Sequence, residues 1–153
     1  DDCYLVHRGL RTLEVRLERH HRTALDLTAW FAGQPEVRKV LYPALRSDPG
    51  HALWARDFDG ASGLFGVLLD PMSPAESSAF FNGLRLFKMG ASWGGFESLM
   101  VPAWPPPVRS CSDLDEGTLI RVHAGLETSE DLIGDLAAAF ARLRFVRSGS
   151  QPS

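Results

Sequence analysis

The stretch that decides the fold is GTLIRVHAGLETSEDLIGDLAAAFARL, residues 117–143. Side chains alternate across a strand, so from Leu119 to Ala124 one face carries Ile120, Val122 and Ala124, and the other carries Leu119, Arg121 and His123. Only the first set is uniformly apolar. Thr128, with Glu130 and Asp131 behind it, then opens a helix whose apolar side is Leu132, Ile133, Leu136, Phe140 and Leu143. A strand that feeds such a helix needs a sheet layer and a helix layer between which both apolar faces are buried.

The rest of the chain supplies both layers. Gly63 to Leu69 is a second strand, stopped by Asp70-Pro71. Ser73-Pro74-Ala75-Glu76 has the form of a capping box and opens a helix carrying Phe80, Phe81, Leu84 and Phe87 toward the core, with Lys88 at its end. Val37 to Tyr42, closed by Pro43, is a further strand, and Asp48-Pro49 reads as the N-cap and first residue of a short helix. Leu10, Leu13, Leu17, His20, Ala24, Leu27 and Phe31 recur in steps of three and four, which predicts one long amphipathic helix ended by Gly33 and Pro35. His20 interrupts that stripe and is read as a half-buried histidine with its hydrogen bonds met. KMGASWGGFESLMVPA, residues 88–103, reads as a glycine-rich loop and strand; the prolines of AWPPPVRSCS, residues 103–112, forbid regular structure there. The expected fold is α/β: a two-layer sandwich of a small sheet covered by helices on one face, with a long N-terminal helix, as a single domain over residues 1–145. Residues 146–153, VRSGSQPS, are expected to form a disordered tail.

Composition narrows the function. With 153 residues, 44% of them apolar, the chain can build an ordinary core, and a formal net charge of -3 provides no broad cationic field for nucleic acid or anionic lipid. Apolar runs such as Gly63 to Leu69 fall far short of the ~20 residues that cross a bilayer, and the acidic start Asp1-Asp2 is unlike a signal peptide, so a cytoplasmic protein is expected. Cys3 and Cys111 are read as free thiols, and the five scattered histidines do not predict a metal site.

Two features could carry chemistry. An arginine inside an apolar strand is costly to desolvate without an anionic partner, and the planar fork of Arg121 suits a carboxylate. By spacing alone, an arginine on a solvated sheet face or in a structural ion pair is the commoner reading. Ser92-Trp93-Gly94-Gly95-Phe96-Glu97-Ser98 is the other: adjacent glycines let backbone come close to a ligand, and neighbouring amides can donate to an anion. Most such glycine pairs are plain turns.

YLVHRGLRTLEVRLERH, VLYPALRSDPGHALWARDF, SWGGFESL and GTLIRVHAGLETSEDLIGDL follow one another, from Tyr4 to about Leu143, in an order that resembles the transsulfuration family of pyridoxal-phosphate-dependent enzymes. The resemblance implies the small carboxy-terminal domain of a fold-type I enzyme, entered by a long helix. It implies that Arg121 grips the substrate α-carboxylate, with Ser92 and Trp93 contributing contacts beside it. Trp93 after Ser92, Phe96, and Ala91 in place of a glutamate resemble the cystathionine β-lyase branch, whose reaction converts cystathionine to homocysteine, pyruvate and ammonia. A homotetramer is implied for the complete enzyme.

In that family a lysine binds pyridoxal 5'-phosphate. The only lysines here, Lys39 and Lys88, lack its context, so no catalytic residue is assigned and the chain is expected to be inactive alone. Proton transfer and the electron sink would belong to a large domain outside these residues. The start DDCYLVHRG, inside what the family makes a continuous element, favours a truncated lyase over a stand-alone module that binds amino acids or a partner subunit.

Overall fold

The computed structural model describes residues 1–103 and 117–149, in the order α1 (Asp2–Leu10), α2 (Leu13–Ala32), β1 (Val37–Leu41), α3 (His51–Asp57), β2 (Leu64–Leu69), α4 (Pro74–Phe81), β3 (Leu99–Pro102), β4 (Thr118–His123) and α5 (Ser129–Arg147). The four strands form one antiparallel sheet, β1-β2-β4-β3, so β4 is paired on both sides. Ile120, Val122 and Ala124 are fully buried and Arg121 is half-buried, as the alternation predicts, but His123 on the Arg121 face is buried as well. Helix α5 packs on α2 and α4, and α2 packs on β1 and β2, which makes the helical layer of a two-layer α/β sandwich. The layer closes around Phe140, whose ring meets Trp30 at 5.5 Å, Phe31 at 6.2 Å and Phe80 at 5.3 Å between centroids.

Both expected caps form. The Ser73 hydroxyl accepts from the Glu76 amide at 3.3 Å while the Glu76 carboxylate accepts from the Ser73 amide at 2.7 Å, and Thr128 accepts from the Asp131 amide at 3.3 Å. Arg144 and Arg147 tie the far end of α5 to Glu36 and Glu76.

Several expectations are corrected. The first helix is two helices, because the Thr12 amide turns back to the Gly9 carbonyl at 3.3 Å with Thr12 off helical geometry. The stripe divides with it: His20, Ala24, Leu27 and Phe31 are buried, whereas Leu10, Leu13 and Leu17 remain exposed. Asp48 does not cap α3, which begins two residues later than read, with Gly50 as its N-cap. Instead the Asp48 carboxylate takes the Tyr42 amide at 3.0 Å and the Gly50 amide at 2.7 Å, joining the end of β1 to the start of the helix. Helix α4 stops at Phe81, so Leu84, Phe87 and Lys88 lie beyond it; the Asp135 carboxylate captures the amides of Arg85, Leu86 and Phe87 and holds an extended turn. Phe87 still reaches the core. Helix α5 runs through Val146 and Arg147, two residues into the segment read as a tail, and Cys3 is exposed on α1. Cys111, most of the proline-rich excursion and residues 150–153 lie outside the described residues. Among the described residues no helix is long and apolar enough to cross a membrane.

Candidate functional site

Strand alternation sends Arg121 and His123 to the same side of β4, and the loop before β3 lies across them. The Arg121 Nη2 donates to the Gly90 carbonyl at 3.3 Å and to the Ser92 carbonyl at 3.4 Å, and the Trp93 ring centre stands 5.6 Å from the guanidinium carbon. All three candidate residues are therefore brought together, Ser92 by its backbone. These bonds are long and go to uncharged oxygens. Among the described residues no acidic side chain forms an ion pair with Arg121, so its charge remains to be met. Trp93 is 60% exposed, Ala91 to Glu97 are all exposed, and Arg121 beneath them is half-buried.

The other half of the loop is held by residues given no role above. Gly94 has φ +81, a conformation that side-chain-bearing residues rarely take, and its amide is 3.1 Å from His123 Nε2; the Gly95 carbonyl is 3.3 Å from the same atom. The Gly94 amide is thus turned inward and committed to an imidazole, rather than open to an anion as the glycine pair alone would permit. Ser98 anchors the loop's end, its amide and hydroxyl donating to the Glu127 carboxylate at 2.9 Å and 2.7 Å, while its hydroxyl accepts from the Gly125 amide at 2.9 Å. A side chain at Gly125 would collide with the Phe96 carbonyl, so this close approach requires glycine. His123 had a legible signal: it stands two residues from Arg121 on the same strand face. Glu127 and Ser98 had none.

His20 corrects the reading of a satisfied histidine. It is 1% exposed and packs edge-on against His123, with ring centres 5.0 Å apart, and among the described residues neither of its nitrogens nor His123 Nδ1 has a hydrogen-bond partner. Burial lowers the pKa of both rings; for His20, His123 and Arg16 add to the shift, and the Gly95 backbone and Glu127 oppose it. Below the ordinary imidazole pKa the unfolded chain therefore binds protons that the folded chain refuses. Stability is fully present above about pH 6.5 and falls as pH drops below it, by about 1.4 kcal/mol per pH unit for each such proton. Urea unfolding from neutral to mildly acidic pH is expected to show this loss, and His20→Leu to reduce it; an equally steep loss in the variant would place the linkage elsewhere.

Lys39 is exposed on β1, separated from β4 by β2, and the Lys88 amine is turned back onto the Arg85 carbonyl at 2.7 Å. Among the described residues, this surface presents the Arg121 cation of β4 beneath a loop held at several points.

Fold and site together are those of a small α/β domain that presents an arginine beside a glycine-rich loop. The solved cystathionine gamma synthase from Xanthomonas oryzae pv. oryzae, in complex with aminoacrylate and cysteine, is similar with a TM-score of 0.77 and 34% identity, over 90% of this chain and 37% of that one. Residues 1–141 match the Cys/Met metabolism PLP-dependent enzymes, and the chain belongs to that pyridoxal-phosphate-dependent family. It is 48% identical over 148 residues to a cystathionine beta-lyase of Salmonella typhimurium, covering 94% of this chain and 38% of that protein. It is also 48% identical over 145 residues to an L-alanine/L-glutamate racemase of Wolbachia pipientis wMel, covering 93% of this chain and 36% of that protein. The chain thus spans less than two fifths of the length of these curated relatives.

Proposed function

We propose that this chain is the substrate-orienting part of a pyridoxal-phosphate-dependent carbon–sulfur lyase that cleaves cystathionine, with water, to homocysteine, pyruvate and ammonia. Arg121 holds the α-carboxylate, the Ser92 carbonyl fixes the guanidinium, and Trp93 walls the site. The observation that carries this reading is that Arg121 is held by neutral carbonyls and an aromatic face while no acidic side chain among the described residues pairs with it. A carboxylate arriving there gains a charge-assisted contact with little reorganisation of the arginine. The cofactor supplies the electron sink when bound, and the residues that hold it belong to the rest of the protein. The chain alone is therefore inactive, and a cytosolic homotetramer belongs to the same proposal.

The 48% identity to a racemase supports a second reading, in which the same clamp serves racemisation of a small amino acid. A hybrid in which this chain replaces the matching segment of the Salmonella typhimurium lyase decides between them. It is expected to release pyruvate and homocysteine from cystathionine in equal amounts. A folded hybrid that racemises L-alanine without releasing pyruvate would establish the second reading.

A further inference from the structure

Arg121 and His123 grip successive points of one loop, the first at Gly90 and Ser92, the second at Gly94 and Gly95. Trp93 lies between these holds, over the guanidinium. We infer that His123 is a positioning residue: by accepting from the Gly94 amide it keeps Trp93 over Arg121 and so sets the attitude in which Arg121 meets a carboxylate, with His20 as the backstop that fixes the imidazole. This rests on the reading of Arg121 as the carboxylate clamp.

The geometry leaves the imidazole few alternatives. The Gly94 amide can be accepted at Nε2 only while that nitrogen is unprotonated, which puts the proton of the neutral ring on Nδ1. Once both nitrogens carry protons, Nε2 can only donate, toward the Gly95 carbonyl, and the Gly94 amide loses its partner. His20 packs edge-on against the ring, which opposes reorientation. Among the described residues, the charged groups that act on this pair are Arg16 from α2, Arg121 from β4 and Glu127 beyond β4, and burial outweighs Glu127 in keeping His123 neutral. The loop is therefore held at neutral pH and released on acidification.

The hybrid enzyme tests this with two variants. His123→Phe keeps a ring but has no acceptor, whereas the side-chain amide of His123→Gln offers an oxygen for the Gly94 amide. Loss of one neutral hydrogen bond is expected to raise KM for cystathionine about tenfold in His123→Phe, with kcat changed less than about twofold, and His123→Gln is expected to recover most of the loss. The parent hybrid's KM is expected to rise only as pH falls below the ordinary imidazole pKa of about 6.5, and His123→Phe to lose that dependence. A parent KM that stays flat as pH falls below this value, or a folded His123→Phe hybrid with the parent KM, overturns the inference. If His123→Phe fails to fold, His123→Gln and the parent's pH profile decide. If Arg121→Ala leaves KM unchanged, the clamp reading has failed, and NMR of the 153-residue chain then tests the loop separately: an unmoved Gly94 amide resonance in His123→Phe overturns the positioning role as well.

Discussion

Replacing Arg121 by alanine in the hybrid enzyme lowers kcat/KM for cystathionine at least ~100-fold, chiefly through KM, because a charge-assisted carboxylate contact is worth roughly 3 kcal/mol and each tenfold takes about 1.4 kcal/mol. Two losses combine. The positive charge disappears from this face of β4, and the loop loses the donor that ties the Gly90 and Ser92 carbonyls and the surface on which Trp93 rests. Arg121→Lys separates them: it keeps the charge but not the planar fork, so it recovers part of the activity and little of the loop order. Steady-state kinetics on the three hybrids check this, and an unchanged kcat/KM in Arg121→Ala would put the carboxylate site elsewhere.

Phe140→Ala is expected to destabilise the chain by about 3–5 kcal/mol, the range for removing a fully buried aromatic ring. Phe140 is completely buried among Trp30, Phe31 and Phe80, so its loss opens a cavity where α2, α4 and α5 converge, and it also removes the ring beneath the Arg144 guanidinium. A domain of this size has roughly 5–15 kcal/mol of total stability, so the variant should unfold at far lower denaturant than the parent. Urea unfolding followed by circular dichroism measures the difference; a loss below ~1 kcal/mol would mean that the helices are not centred on this ring.

The architecture was legible where one local rule governs. The alternation of β4, the Ser73–Glu76 box and the Thr128 cap depend on neighbours within a few residues, and each forms as read. Expectations failed where a distant group intervened. Nothing near Leu84 announces that Asp135 will take the amides of the following turn and end α4 early, and nothing near Pro49 announces that Asp48 will bind the Tyr42 amide. The site divides in the same way. Arg121 drew notice as a charge in an apolar strand, whereas His20 and His123 become a pair only in the folded chain, over a separation that no periodicity in the sequence encodes.

The double pairing of β4 bears on how faithfully the molecule makes its site. A one-residue slip of this strand would bring Arg121 into the apolar layer and Ile120 and Val122 out of it, while breaking ladders with β2 and β3 together. The penalty for burying an unpaired guanidinium would fall on the same molecules that had lost their core. A copy with a misdirected arginine is therefore also a copy that cannot stay folded. Proteolytic clearance of unstable chains would remove defective sites along with it, with no separate check on activity.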